Sequence, residues 1–505
     1  MPYFGLRLNP RGFFFHFGIG WSGAWRAAFR LDGTTLTAET GLLKTDFFLN
    51  PGEKVRQPSM FLLAHEPGTD PDEAQNITRR FMLENHSPKD SRGGIIPAPV
   101  CYNVGGGIPR RMLLDILECI RREKLGYDVL WMDAGWFGPD RPEEQPAFHR
   151  EGDVADDTLG KWTAGRGNWR VNRGHHIHGL AEYADTAKSI GMKFLLWFEI
   201  ETSVYGTPAA EQHPEWFLPL DCGALLLNLG NPDALEYAKE VFRNRIREEH
   251  IGMIRIDFNV NSLSAWFRND PPGRTGITET KYIMGLYELW DAIREILPDQ
   301  AIDNCASGGR RLDFELLSRS IPLWRTDGLQ TSESNQAHTA LLSRWVPQHA
   351  GGIYGDPLPA GDDYAQLSRI MTGALISYYP DQIEKDPEWV RRLVRTTRRL
   401  SPLSRQNLWN ITPCSPDDKT VPHIRQCDSY DHSEGYFIVF RRELCPVAEF
   451  TVPLRHIDPD ADYELDDGKG EIRRISGKEL GKIRVTLPEP HSVQLRFYRK
   501  AGPNV

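Results

Sequence analysis

The 505-residue chain carries 60 basic and 69 acidic residues, a formal charge of −9, with no lysine/arginine run. That balance lacks the electrostatic footprint of a nucleic-acid binder, so no nucleic-acid partner is expected. No apolar stretch approaches the ~20 residues needed to cross a bilayer, which leaves no membrane partner. Seven cysteines without CxxC spacing, Cys101, Cys119, Cys222, Cys305, Cys414, Cys427 and Cys445, form neither a disulfide framework nor a metal cage. The aromatic start MPYFGLRLNPRGFFFHFGIGW lacks the basic head and long aliphatic core of an export signal, so it reads as a strand and the expected location is cytoplasmic.

Residues 1–95 show short alternating and aromatic runs broken by Gly, Asn and Pro, which predicts a β-rich domain ending in an amphipathic helix over 72–85. From 96 to 401 the rhythm changes. Short apolar strands, PVCYNVG, YDVLWMDAGW, MKFLLWFEIE, MIRIDFNV, QAIDNCASGG, PLWRTD, GGIYGD and ALISYYP, alternate with helical segments predicted at 110–124, 179–190, 232–250, 278–297, 310–319, 332–345 and 387–400. Eight such units in about 300 residues match a (β/α)₈ TIM barrel. Residues 402–505 return to short alternating runs separated by turns, which predicts an antiparallel β-sandwich. The fold expected is therefore α/β, a barrel flanked by two β domains.

In a parallel barrel the C-terminal strand ends converge on one mouth, so candidate chemistry is sought there. Strand two ends in WMDAGWFG, which offers the carboxylate of Asp133 and the ring of Trp136 to one pocket wall. Strand three ends with Glu199 and Glu201 on one face, one of them expected in the pocket. In strand four, Arg255 and Asp257 alternate onto one face, and a cation two positions away keeps a carboxylate ionised, as a nucleophile requires. Strand five runs into a small-residue turn, Cys305, Ser307 and Gly308, whose backbone N–H groups can meet a hydroxyl. PLWRTD brings Asp327 beside Arg325. If Asp327 faces Asp257 across the mouth, the two are the carboxylate pair that glycosidic cleavage needs. Two motifs point elsewhere. GHHIHG, with His175, His176 and His178, lacks partners for a metal site, and YNVGGGIPRR lacks phosphate-loop order and reads as a flexible rim loop.

WMDAGWFG, the GNWRVN…GLAEYADTAKSIGMKFLLWFEIE block, IRIDFN, NCASGGRRLD and WRTD in one order resemble the family-36 α-galactosidases (melibiases) of glycoside hydrolase clan D. IGWSGAW, GLLKTDFFLNPGE and AQNITRRFMLENHSP are similar to the end of that family's N-terminal supersandwich, here much shorter than usual. The resemblance implies a retaining hydrolase of terminal α-galactosides, with Asp257 as nucleophile and Asp327 as acid/base. It implies substrate contacts from Asp133, Trp136, Trp169, Glu199, Arg255, Cys305, Ser307, Gly308 and Arg325, and no metal or cofactor. The partner expected is an oligosaccharide or glycoside, with homo-oligomerisation open. Departures from the family pattern are Ala134 for the second of two paired aspartates, Ile256 for a tryptophan, and Gly105 to Gly107 for a tryptophan-rich segment. They keep open an α-N-acetylgalactosaminidase, a galactosyl-transferring relative and a non-catalytic carbohydrate-binding barrel.

Overall fold

The computed structural model describes residues 1–8, 12–138, 162–328, 330–352, 361–468 and 470–502. Parallel strands Val100–Val104, Val129–Met132, Lys193–Phe198, Met253–Ile256, Ile302–Asn304 and Ser320–Ile321 pair in sequence order, and Ala374–Leu375 pairs with the first of them. Among the described residues the edges of this curled sheet meet through single backbone bonds to one further segment. Ala350 N donates to Pro322 O (3.0 Å) and Leu375 N to Gly351 O (3.2 Å), so residues 350–351 stand where a seventh strand belongs. The remainder of the predicted GGIYGD strand, from 353 on, lies outside the described residues.

Period-two alternation explains the inside of this curl. Val129 and Trp131, Leu195, and Met253 point inward into one small cluster with Cys101, Ala301, Cys305, Leu323, Trp324 and Leu375. Leu130, Met132, Leu196, Phe198, Ile254 and Ile256 point outward to the helices and join the large outer core. Helices start where the sequence supplies caps. Asn231 accepts from Asp233 N ahead of Pro232–Glu248, with Pro232 at the first helical position.

Two predicted elements change. The strand expected at PLWRTD is confined to Ser320–Ile321, because Pro322 has no N–H for the ladder, and Trp324 to Asp327 therefore lie on the loop beyond it. The helix expected over 310–319 shrinks to Phe314–Leu317, capped by Asp313, because 305–311 are held in a tight turn.

Ahead of the barrel, Tyr3–Leu8, Phe13–Gly20 and Ser59–His65 form an antiparallel sheet, and Trp25–Asp32 with Thr35–Leu42 a hairpin. Asp46–Phe47 pairs with Arg274–Thr275 of the barrel. After it, a six-stranded antiparallel sheet, with Asn407–Asn410, His423–Asp428 and Ile472–Ser476 beyond the runs the pattern indicated, packs against a two-stranded one. Phe437, Val439, Tyr463 and Leu465 of the large sheet share a core with Phe450, Val452 and Val485 of the small one. Among the described residues no helix is long and apolar enough to cross a membrane.

The joint between the N-terminal segment and the barrel carries a titratable group. Glu279, on helix Ile277–Ile296, is buried and accepts from Trp21 Nε1 (3.1 Å) and Ala24 N (2.6 Å). Burial pushes its carboxyl up to about 7, beyond what those two donors offset. A carboxyl raised on folding contributes stability that is complete below its unfolded value and is lost as pH rises through the folded one. Chemical unfolding from about pH 5 to about pH 8 should therefore show falling stability, and Glu279→Gln, which keeps an acceptor for both donors, should flatten that slope.

Candidate active site

At the C-terminal mouth of the barrel lies a cavity of about 280 Å³ lined by residues that include Asp133, Arg255, Asp257 and Asp327. Asp257 and Asp327, remote in sequence, therefore open onto one space. The other walls are largely indole rings, Trp131, Trp162, Trp197 and Trp324, with Asn103, Ala134, Asn259, Gln330 and Leu375 between them.

Arg255 occupies the innermost polar layer, directly above the apolar barrel interior. It is buried; its Nη1 donates to Asp303 Oδ2 (2.5 Å), its Nε lies 3.7 Å from Asp133 Oδ2, and its guanidinium stacks over Trp131 at 4.3 Å. Burial works against its charge, yet Cys305, Asp303, Asp133 and Asp257 outweigh that and hold the guanidinium firmly protonated. Burial also pushes the carboxyls of Asp303 and Asp133 up, and Arg255 opposes the shift in both. Asp257 goes the other way. Burial would raise it, but Arg255 and hydrogen bonds from Asn259, Cys305 and Phe258 bring it below the usual aspartate value, so it is a stable anion.

Each pocket aspartate is held by a tryptophan N–H. Trp131 Nε1 donates to Asp133 Oδ2 (3.0 Å), Trp197 Nε1 to Asp257 Oδ2 (3.2 Å) and Trp324 Nε1 to Asp327 Oδ1 (2.7 Å). Asp257 also accepts from Asn259 Nδ2 (2.9 Å) and from the backbone N–H groups of Phe258 (2.7 Å) and Ser307 (3.2 Å). This dense set of donors fixes the orientation of the carboxylate.

The turn after strand five joins the two aspartates through backbone. Ser307 adopts a left-handed φ of 45°, uncommon for a non-glycine residue, which aims its N–H at Asp257. Gly308, at φ 79°, bridges antiparallel to Thr326, and a Cβ there would fall 2.6 Å from Asp327 N. Only glycine permits that approach.

Several predicted contacts are placed elsewhere. Trp136 is fully buried, donating to Trp197 O (2.7 Å) and packed on Phe137 and Phe198, so it is core rather than pocket wall. Trp169 packs in the same aromatic cluster and lines a separate cleft. Glu199 lies behind the wall, accepting from Arg166 Nη1 (3.1 Å), Thr202 Oγ1 (3.0 Å) and Asn259 Nδ2 (3.0 Å); it orients Asn259, and burial and the Asp257 charge raise its carboxyl. Glu201 turns away to a bidentate pair with Arg311 (2.6 and 2.8 Å). Arg325 is buried against His349 (3.2 Å) and Asn335 (3.1 Å) on the far side of its loop, where burial lowers it to about 9. Cys305 and Ser307 support Asp257 and Asn259 from outside the lining, with Ser307 Oγ donating to Asn259 Oδ1 (2.8 Å). Asp303, Asn103, Asn259 and the rings of Trp131, Trp162 and Trp197 are among the residues the sequence reading left out. The period of two that links Asp303 to Cys305 is the one local signal that marks an inward carboxylate there.

The histidine motif binds backbone. His176 Nε2 contacts Gly106 O (2.9 Å), and His175 Nε2 contacts Ile108 O (3.0 Å). Among the described residues no three His, Cys, Asp or Glu side chains are placed to hold a metal ion. The glycine loop expected to be flexible is pinned, since Gly106 N donates to Ala134 O (2.9 Å) and a Cβ at 106 would meet Trp136 N at 2.4 Å.

A parallel barrel that presents two carboxylates at a tryptophan-lined mouth has the paired acids that glycosidic cleavage needs. Residues 111–347 match the model of the Melibiase family. The chain is 23% identical over 393 residues to probable α-galactosidase C of Aspergillus flavus, covering 71% of this chain and 47% of that protein. It is 24% identical over 524 residues to α-galactosidase AgaA of Geobacillus stearothermophilus, covering 95% of this chain and 64% of that protein. The chain thus spans about half the length of the first curated relatives it matches. Among solved structures, glycoside hydrolase family 36 AgaA with 1-deoxygalactonojirimycin superimposes with a TM-score of 0.81 at 19% identity, over 99% of this chain and 69% of that one. The α-galactosidase of Lactobacillus brevis gives 0.78 at 17%, over 100% and 69%. Over residues 111–347 the barrel of this chain is thus similar to the melibiase family.

The backbone weld between the aspartates gives a stability test. Gly308→Ala should destabilise the fold by about 1–3 kcal/mol through forced φ and overlap with residues 326–327. Gly105→Ala, where a Cβ meets nothing within 4 Å, should leave the urea midpoint almost unchanged.

Proposed function

We propose that the protein is a retaining glycoside hydrolase acting on terminal α-D-galactosides. The observation that carries the reading is the shared cavity of Asp257 and Asp327, one anchored as an anion by Arg255 and the other held by Trp324. The relatives named as α-galactosidases, and the AgaA structures with stachyose and raffinose, supply the substrate class.

In the first step the Asp257 carboxylate attacks the anomeric carbon, the bond to the leaving oxygen breaks, and protonated Asp327 gives that oxygen its proton. In the second, Asp327 takes a proton from water, the water oxygen bonds to the anomeric carbon, and the ester to Asp257 breaks, so two inversions retain the α configuration. The pair should stand roughly 5–5.5 Å apart in the complex for this course. Arg255 keeps the nucleophile ionised, and Asn259, itself held by Glu199 and Ser307, keeps it oriented. The indole rings offer apolar plates to the C–H faces of a sugar.

Trapping with a slow 2-fluoro galactosyl donor and mapping the labelled peptide tests the nucleophile. The label is expected on Asp257, and a label elsewhere overturns the assignment. Asp327→Ala should reduce hydrolysis of an alkyl α-galactoside by about 10²–10⁴-fold, the usual scale of general acid catalysis. It should do much less to the first step with an aryl leaving group that needs no proton. Comparable losses on both would remove Asp327 from the acid role.

A further inference from the structure

The pocket contains a donor that neither the mechanism nor the family resemblance uses. Asn103 lies on barrel strand Val100–Val104, opposite Trp131 of the second strand, and its backbone N–H donates to Ser377 Oγ (2.8 Å). Its side chain lines the cavity beside Asp133, Ala134 and Leu375. Among the described residues its Nδ2 is buried without a hydrogen-bond partner, and so is Arg255 Nε in the same cavity. A buried donor left unmade costs about 1–3 kcal/mol, so an amide without a partner on a residue of the cavity wall is one that an occupant can satisfy.

The neighbours define what that occupant presents. Asp133 is held by its own segment, Oδ1 by Ala134 N (2.8 Å) and Oδ2 by Trp131 Nε1 (3.0 Å), and keeps lone-pair capacity toward the cavity. Position 134 is alanine and offers Asn103 no acceptor. The group that fits must accept from the amide and donate to the carboxylate. A hydroxyl does both, a carbonyl only accepts, and a carboxylate would meet the Asp257 anion with like charge.

Resting on the hydrolase reading above, the geometry points to Asn103 as a specificity-determining residue: its Nδ2 donates to a single glycone hydroxyl, which in turn donates to Asp133, and Ala134 leaves the room for that hydroxyl. Its consequence is that discrimination among glycones is set at the tips of strands one and two, across the mouth from the catalytic pair. A site built to bond a hydroxyl strongly rejects the analogue that lacks it, because its buried polar groups are then left unpaired.

The test is a coupling measurement on the full-length protein. Aryl α-galactosides deoxygenated singly at positions 2, 3, 4 and 6 are compared with the parent for wild type, Asn103→Ala and the isosteric Asn103→Asp. Wild type should lose about 10²-fold or more in kcat/KM at one position beyond the effect of deoxygenation on the chemistry itself. Both variants should lose at least about tenfold on the parent substrate, the scale of one good hydrogen bond, and lose the extra penalty at that position alone. The thermal midpoint of Asn103→Ala should be unchanged or higher, since removing an unpartnered donor relieves the apo fold. Equal penalties at every position, or a lowered midpoint with uniform losses, would show a structural role and overturn the inference. If wild type turns over no α-glycoside, the hydrolase reading fails separately. Calorimetry of galactose and its four monodeoxy forms on the same three proteins then decides the role of Asn103, and binding without coupling at one hydroxyl, or no binding, overturns it.

Discussion

A buried arginine organises this site. Arg255 is removed from water at the top of the barrel interior, and a charge so placed is tolerated only with close, well-bonded partners. Asp303 gives the direct bond, Asp133 and Asp257 the surrounding negative charge, and Trp131 a ring face. One guanidinium thereby links strands two, four and five and opposes the effect of burial on all three carboxylates. It holds Asp257 down, whereas burial prevails at Asp133 and Asp303. Removing Arg255 would leave three buried acids without their counter-charge, so its structural and chemical roles are inseparable.

Around that charge the tryptophans act twice. Their rings enclose the cavity, and their indole N–H groups orient the aspartates, one per carboxylate. An indole donates but cannot accept or ionise, so it fixes a carboxylate without competing for the proton. The turn at Ser307 and Gly308 completes the frame with backbone alone, reaching Asp257 by an N–H and Asp327 by contact that a side chain would block.

The alternation of Arg255 with Asp257, and the apolar runs ahead of them, made the fourth strand and its inward acid legible in the sequence, as did the change of rhythm around residue 96. Asp327 was identifiable as a mouth residue, but its position on a loop was not, because the effect of Pro322 depends on which strand faces it. Trp136 is assigned to the pocket from its nearness to Asp133, and Trp169 from the family resemblance. A ring beside a strand tip can turn to either side, and here the aromatic cluster with Phe137 and Phe198 draws both into the outer core. Glu199 and Arg325 misled for a related reason, since their buried partners Arg166, Asn259, Asn335 and His349 come from remote segments. Asn103 gave no local signal at all. Its meaning lies in a bond it does not make, which only the assembled pocket reveals.

The closure of the barrel is uneven. Six neighbouring strand pairs share continuous ladders, while among the described residues the segment at 350–351 is tied by one backbone bond to Pro322 and one to Leu375. A seam with so few backbone links is where a closed cylinder breathes first. It adjoins the loop that carries Asp327, because Pro322, which accepts from Ala350 N, leads directly into residues 324–327. Opening there would shift Asp327 relative to the laddered strands that hold Asp257.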